Sequence, residues 1–93
     1  MSVASDIRAI RALALDVWRG LTDAQRATMR RSVPLRVGVV CIGRPRTLSA
    51  LTRIGLVSEG GIATPLGLLV RDVGREQEAA DARARYQTRE GKP

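Results

Sequence analysis

The 93-residue chain reads as a mainly α-helical domain carrying one small β-hairpin. Three observations predict this. Apolar residues recur at three- and four-residue spacing in several stretches, Thr22 with Gln25 and Thr64 with Pro65 have the form of helix-opening signals, and Ser58-Glu59-Gly60-Gly61 separates two short apolar steps. With 44% hydrophobic and 27% charged residues, the composition is that of a folding globular chain. The length suits a single core, so residues 1–76 are expected to form the domain and residues 77–93 a charged tail or helix extension.

The first helix is expected over residues 5–19, with Ser5 as N-cap and Asp6 facing the positive end of the helix dipole. Ile7, Ile10, Ala14, Val17 and Trp18 share one stripe, which predicts a buried face with Trp18 as its anchor. Gly20 ends this helix. Thr22 and Gln25 have the spacing of a capping box, opening a second helix to about residue 32 with a thin apolar face of Leu21, Ala24 and Met29. Pro34 stops it.

Residues 35–42, LRVGVVCI, are rich in β-branched side chains, but Gly38 interrupts their weak alternation. Two readings stay open: one short buried strand, or three residues of strand followed by an abbreviated helical turn. Residues 44–54 place Leu48, Leu51 and Ile54 at one-turn spacing, with Pro45 suited to a first helical turn and Gly55 to a left-handed cap. Leu56-Val57, the Ser58–Gly61 turn and Ile62-Ala63 form the predicted hairpin. Thr64 and Pro65 then open a helix whose Leu66, Leu69, Val70 and Val73 make a final core stripe. Beyond Gly74, Tyr86 is the only large apolar group. From about residue 77 the chain either frays or continues as an exposed helix unless a partner covers it. There is no internal repeat.

Charge narrows the function. Sixteen Lys and Arg against nine Asp and Glu give a formal +7, and its distribution is uneven. Between residues 24 and 58 stand seven arginines (Arg26, Arg30, Arg31, Arg36, Arg44, Arg46, Arg53) and no acid, while the rest of the chain is balanced. A genome rich in G and C explains arginine in place of lysine. It does not explain the missing acids. A concentrated positive field suits a polyanion: DNA, RNA or an acidic protein surface. RNA is the weakest of these, because aromatic residues for base stacking amount to 2%.

Several chemistries are excluded. One cysteine and no histidine make neither an internal disulfide nor a conventional zinc site, and Cys41, among Val39, Val40 and Ile42, lacks the base a nucleophile needs. Gly38 and Gly43 have the spacing of phosphate-loop glycines, but Arg44-Pro45 stands where Lys-Ser/Thr is required. Asp72 and Glu76, beside Arg71 and Arg75 at helical spacing, read as solvated ion pairs. No catalysis, cofactor or metal is expected. No apolar run spans a membrane and no secretory leader is seen, so the expected place is the cytoplasm, at the nucleoid if the source is bacterial.

The segment TLSALTRIGLVSEGGIATPLG resembles the heart of a winged helix-turn-helix domain: a recognition helix ending in R-x-G-L-V, a short wing hairpin, then T-P-x-G opening the next helix. The likeness covers about residues 21–73, and the N-terminal helix is an addition to that plan. It implies duplex DNA as the partner, with the recognition helix in the major groove and the wing on neighbouring backbone or minor groove. Carried across, Arg46, Thr47, Ser49, Ala50 and Arg53 would face the groove, Ser58 and Gly60 would lie at the wing tip, and Arg30, Arg31, Arg36 and Arg44 would meet phosphates. The helix that ordinarily precedes the recognition helix would fall on residues 39–43, shortened or absent. A small bacterial or phage regulator, acting as a homodimer through the first or last helix, is the leading expectation. The alternative is a winged-helix protein-interaction module, such as a phage-type inhibitor docking on a host protein.

Overall fold

The computed structural model describes residues 3–90. Its elements run α1 (Val3–Gly20), α2 (Asp23–Arg30), β1 (Val33–Leu35), β2 (Gly38–Val40), α3 (Pro45–Ile54) and α4 (Pro65–Glu90). The mainly helical class with a small antiparallel hairpin is as expected. The expected return over residues 56–63 closes through an antiparallel Val57–Ala63 bridge, and the regular two-stranded hairpin is an additional one at Val33–Val40.

Local capping chemistry explains most helix boundaries. Thr22 Oγ1 accepts from the Gln25 amide at 3.2 Å while Gln25 Oε1 accepts from the Thr22 amide at 2.9 Å, the reciprocal box that starts α2. Arg44 is the N-cap of α3, Pro45 its first residue, and Gly55 closes it in the left-handed conformation with φ 89°. Thr64 Oγ1 accepts from the Gly67 amide at 3.0 Å and donates to the Gly55 carbonyl at 2.6 Å, joining the start of α4 to the end of α3. Ser5 is no cap. α1 begins at Val3, which places Ser5 within the helix.

The stretch around Pro34 differs from both readings of it. Two strands, not one, form a two-residue hairpin in which Val33 faces Val40, Pro34 faces Val39 and Leu35 faces Gly38, with Arg36-Val37 as the turn. Gly38 makes this possible twice over. Its φ is 132°, and a Cβ there would lie 2.9 Å from Ile62 Cγ2. β1 is an outer strand, where a proline's missing amide is tolerated. β2 pairs further: the Cys41 amide donates to Gly61 O and the Ala63 amide to Val39 O, each at 2.8 Å. Val57 in turn bridges Ala63, so residues 57–63 dock as a tight return on the edge of β2. No helix precedes α3 in residues 39–43, because those residues finish β2 and run on extended.

The core gathers Met29, Leu51, Leu56, Val57 and Val70, all essentially inaccessible, with Ala14, Trp18, Leu21, Cys41, Ala63 and Val73 around them. Fully burying each large aliphatic side chain contributes about 1.5–3 kcal/mol. Two glycines permit the closest approaches: a Cβ on Gly67 would overlap the Leu56 carbonyl, and one on Gly74 would overlap the Trp18 indole. α4 therefore passes through Gly74 as one helix with the indole seated against it, and continues through the charged segment to Glu90. Residues 91–93 of the expected tail lie outside the described residues.

Four predicted core positions are corrected. Ile7 and Ile10 are half-exposed, at 51% and 52%, because the core takes only the Ala14–Trp18 end of the α1 stripe. Leu66, at the first turn of α4, and Ile54, at the last of α3, are also exposed, at 44% and 45%. Each sits at a helix end that overshoots the packed layer. Among the described residues, no helix is long and apolar enough to cross a membrane.

Candidate nucleic-acid interface

The fold divides the seven arginines of the acid-free stretch into two groups. Arg26 and Arg30 serve the fold. Arg26 Nε donates to Trp18 O at 3.0 Å and its Nη2 to Arg19 O at 2.7 Å, satisfying carbonyls left open at the end of α1. Arg30 pairs with Glu78 at 2.8 Å and lies 5.8 Å from the Trp18 ring centroid, a cation–π distance. Arg30, expected to meet phosphate, is instead seen engaged by a carboxylate on the side lined by Trp18, Gln77 and Glu78.

Arg31, Arg36, Arg44, Arg46 and Arg53 are the other group. All five are exposed, and none forms a salt bridge among the described residues. Four carboxylates, Asp23, Asp72, Glu76 and Glu78, pair with other arginines. Asp72 pairs with Arg71 as expected, whereas Glu76 pairs not with Arg75 but with Arg11 of α1. Arg71 also reaches Ser32 Oγ at 3.0 Å, and Arg75 Nη2 donates to Arg30 O at 3.1 Å, fastening α4 to the end of α2.

On α3, helical geometry sets Arg46, Ser49 and Arg53 in one exposed stripe, with Ala50 and Thr47 half-buried along its flank. Seven residues separate the two arginines, about 10 Å along the axis at 1.5 Å per residue. Leu51, buried, and Leu48 hold the opposite face to the core. Gly43 supports the start of α3 from behind, since a Cβ there would lie 2.7 Å from Thr28 Oγ1 and 2.9 Å from its methyl on α2. That approach lets α2 brace α3 directly.

A cleft of about 560 Å³ joins this stripe to the 58–61 turn, lined by Ser49, Thr52 and Arg53 on one side and Ser58, Glu59 and Gly60 on the other. Ser58 ties the turn. Its amide donates to Ile62 O at 2.7 Å, its carbonyl accepts from the Gly61 amide at 2.9 Å, and its Oγ accepts from the Ile62 amide at 3.2 Å. Glu59 is the one carboxylate lining the cleft. At the other end of α3, Arg31 and Arg44 flank a shallow depression with Ile42 and Gly43. The structure thus brings Ser49, Arg53, Ser58 and Gly60 together and sets Arg31 beside Arg44, while Arg36 stands apart at the β1–β2 turn.

Cys41 is buried, and burial pushes its thiol up, partly offset by the Arg71 guanidinium. Since the thiolate is the reactive species, alkylation with iodoacetamide at neutral pH is expected to be slow in the folded protein and fast in denaturant. Mass spectrometry of the two samples checks this. Equal labelling would show that Cys41 is not enclosed. The raised folded value also means stability is retained below the ordinary thiol range and falls as pH rises through it, because the unfolded chain releases the proton first.

No protein-family model matches this chain, and neither does any curated protein or any solved structure.

Proposed function

We propose that the protein binds duplex DNA through the outward face of α3, as a small transcriptional regulator of winged helix-turn-helix type acting in the cytoplasm. The observation that carries this reading is the set of five exposed arginines without salt-bridge partners among the described residues, placed on α3 and on the segments leading into it. Arg46 and Arg53 are suited to guanine edges, which accept two parallel hydrogen bonds from a guanidinium, and Ser49 to bases or phosphates. Arg31 and Arg44 are suited to phosphates at the start of the helix, and the 58–61 turn to the adjacent backbone. In place of the usual preceding helix, α2 packs behind α3. A homodimer would double the contact with DNA.

The test is a mobility-shift titration of the full chain against random duplex at low and moderate salt. Retardation that weakens steeply with salt is expected, since each neutralised phosphate contributes about 0.9 to the logarithmic slope. No retardation at low salt would sink the reading. Replacing Glu59 by Gln should tighten binding about two- to fivefold at low salt, and less at high salt, by removing the carboxylate from the cleft. Unchanged affinity would place that turn away from the DNA.

One observation favours a second reading. Val3, Ile7, Ile10 and Leu13 on α1 are between 51% and 75% exposed, an apolar surface suited to a protein partner. A module that docks on another protein by this face would bind it with little salt dependence and would not require Arg46 or Arg53.

A further inference from the structure

We infer that the β1–β2 hairpin is a second DNA-contacting element, whose tip Leu35-Arg36-Val37 enters the minor groove and wedges apolar side chains against the base stack. The inference rests on the DNA-binding reading and extends it to an element that the resemblance to winged helices does not supply.

Four observations point this way. The tip displays Leu35 at 58% and Val37 at 70% exposure, with Pro34 and Val33 exposed behind them, so the hairpin carries an apolar edge that the core does not use. Between the two apolar residues stands Arg36, without a salt-bridge partner among the described residues. The hairpin is anchored: Gly38 fits under Ile62, and β2 is bonded through Val39 and Cys41 to the 61–63 segment, so force at the tip meets a braced sheet. The base of the hairpin lies beside the α3 site, since Val40 and Cys41 line the cleft that contains Ser49 and Arg53, and Arg31, just before β1, lies beside Arg44.

Duplex DNA is the occupant this chemistry selects. An apolar tip interrupted by one guanidinium matches a surface that is densely anionic at its rim and apolar within, which describes phosphates flanking stacked bases. The minor groove is about 6 Å wide, and paired strands stand about 4.8 Å apart, so a two-residue turn can lead with its side chains where a broader loop cannot. Arginine is favoured in that groove by its negative potential, and wedges of leucine or proline between base steps unstack and bend the duplex. An acidic protein surface would satisfy Arg36 but would offer Leu35 and Val37 no apolar stack.

The experiment uses the full chain and a duplex of about 25 base pairs, end-labelled for energy transfer and carrying 2-aminopurine at successive steps, with affinity measured at two salt concentrations. Wild type is expected to shorten the end-to-end distance and raise 2-aminopurine fluorescence at one or two steps. The Leu35→Ser/Val37→Ser double variant should lose both signals and roughly tenfold in affinity with its salt slope unchanged. Arg36→Ala should lower that slope by about 0.9. Both variants change solvent-exposed positions, and Trp18 fluorescence reports whether the fold is kept. The 2-aminopurine signal from wild type tests the wedge even if a variant misfolds. Straight, fully stacked DNA in the wild-type complex overturns the inference, as does a folded double variant that binds and bends like wild type. If those results appear while Arg46→Ala/Arg53→Ala abolishes binding, only the hairpin's role falls. If wild type binds no duplex at all, the parent reading falls with it.

Discussion

Replacing Arg46 and Arg53 together with alanine is expected to weaken binding to duplex DNA at least a hundredfold at low salt while leaving the fold intact. Both side chains are exposed and neither forms a salt bridge among the described residues, so their removal leaves no buried group without a partner. Loss of a two-pronged contact to a base costs about 1–3 kcal/mol, and two such losses near the middle of that range exceed a factor of 100 at 1.4 kcal/mol per tenfold. If the contacts are instead to phosphate, the salt slope should fall by about 1.8 for the pair. The internal control is Arg30→Ala. Arg30 is held by Glu78 and lies over Trp18, so its loss should lower the unfolding midpoint and leave DNA affinity nearly unchanged. Titration of the three proteins at two salt concentrations, with urea unfolding of each, separates these outcomes. An Arg46→Ala/Arg53→Ala protein that binds like wild type would remove α3 from the interface.

The second large effect is on stability. Gly67→Ala is expected to cost about 3 kcal/mol, although alanine is the better helix former by about 1 kcal/mol. The new methyl would coincide with the Leu56 carbonyl, a backbone group that also accepts the Thr64 amide at 3.0 Å. Leu56 is wholly buried, so neither its segment nor the first turn of α4 can withdraw without opening the core. For a domain of this size, whose total stability is roughly 5–14 kcal/mol, such a loss is a large fraction. Gly74→Ala should also destabilise, by pressing on the Trp18 indole. Gly20→Ala should not. Nothing lies within 4 Å of a Cβ on Gly20, and the variant should match or exceed wild type. Urea denaturation of the three variants gives the order, and a Gly67→Ala protein as stable as Gly20→Ala would contradict the close approach of α4 to Leu56.

What could be seen in the chain before folding was whatever depends on neighbours a few residues apart. The Thr22–Gln25 box, Pro45 and Gly55 at the two ends of α3, and Thr64 before Pro65 each act through one or two nearby backbone groups, and each appears where the spacing places it. The α3 stripe of Arg46, Ser49 and Arg53 was legible for the same reason, since 3.6 residues per turn fixes which side chains share a side. The hairpin at Val33–Val40 was not. Its seating depends on Ile62 lying over Gly38 and on residues 61–63 bonding to β2 and Cys41, partners twenty or more positions away. The available signal was Gly38 itself, following two residues that can turn between β-branched neighbours.

Periodicity likewise showed that α1 has an apolar stripe but not how much of it the core would use. Ala14 and Trp18 are buried while Ile7 and Ile10 stay half in water, because the extent of a packed surface depends on where the opposing helix lies. Charge follows the same division. Composition alone established an acid-free arginine stretch, since it needs only the order of residues. Which arginines remain outward was decided by tertiary contact: α4 brings Glu78 to Arg30, the end of α1 takes Arg26, and Arg31, Arg36, Arg44, Arg46 and Arg53 are left without a carboxylate partner among the described residues. Capping and helical phase act over a single turn and are written locally, whereas burial and ion pairing require two distant segments to meet.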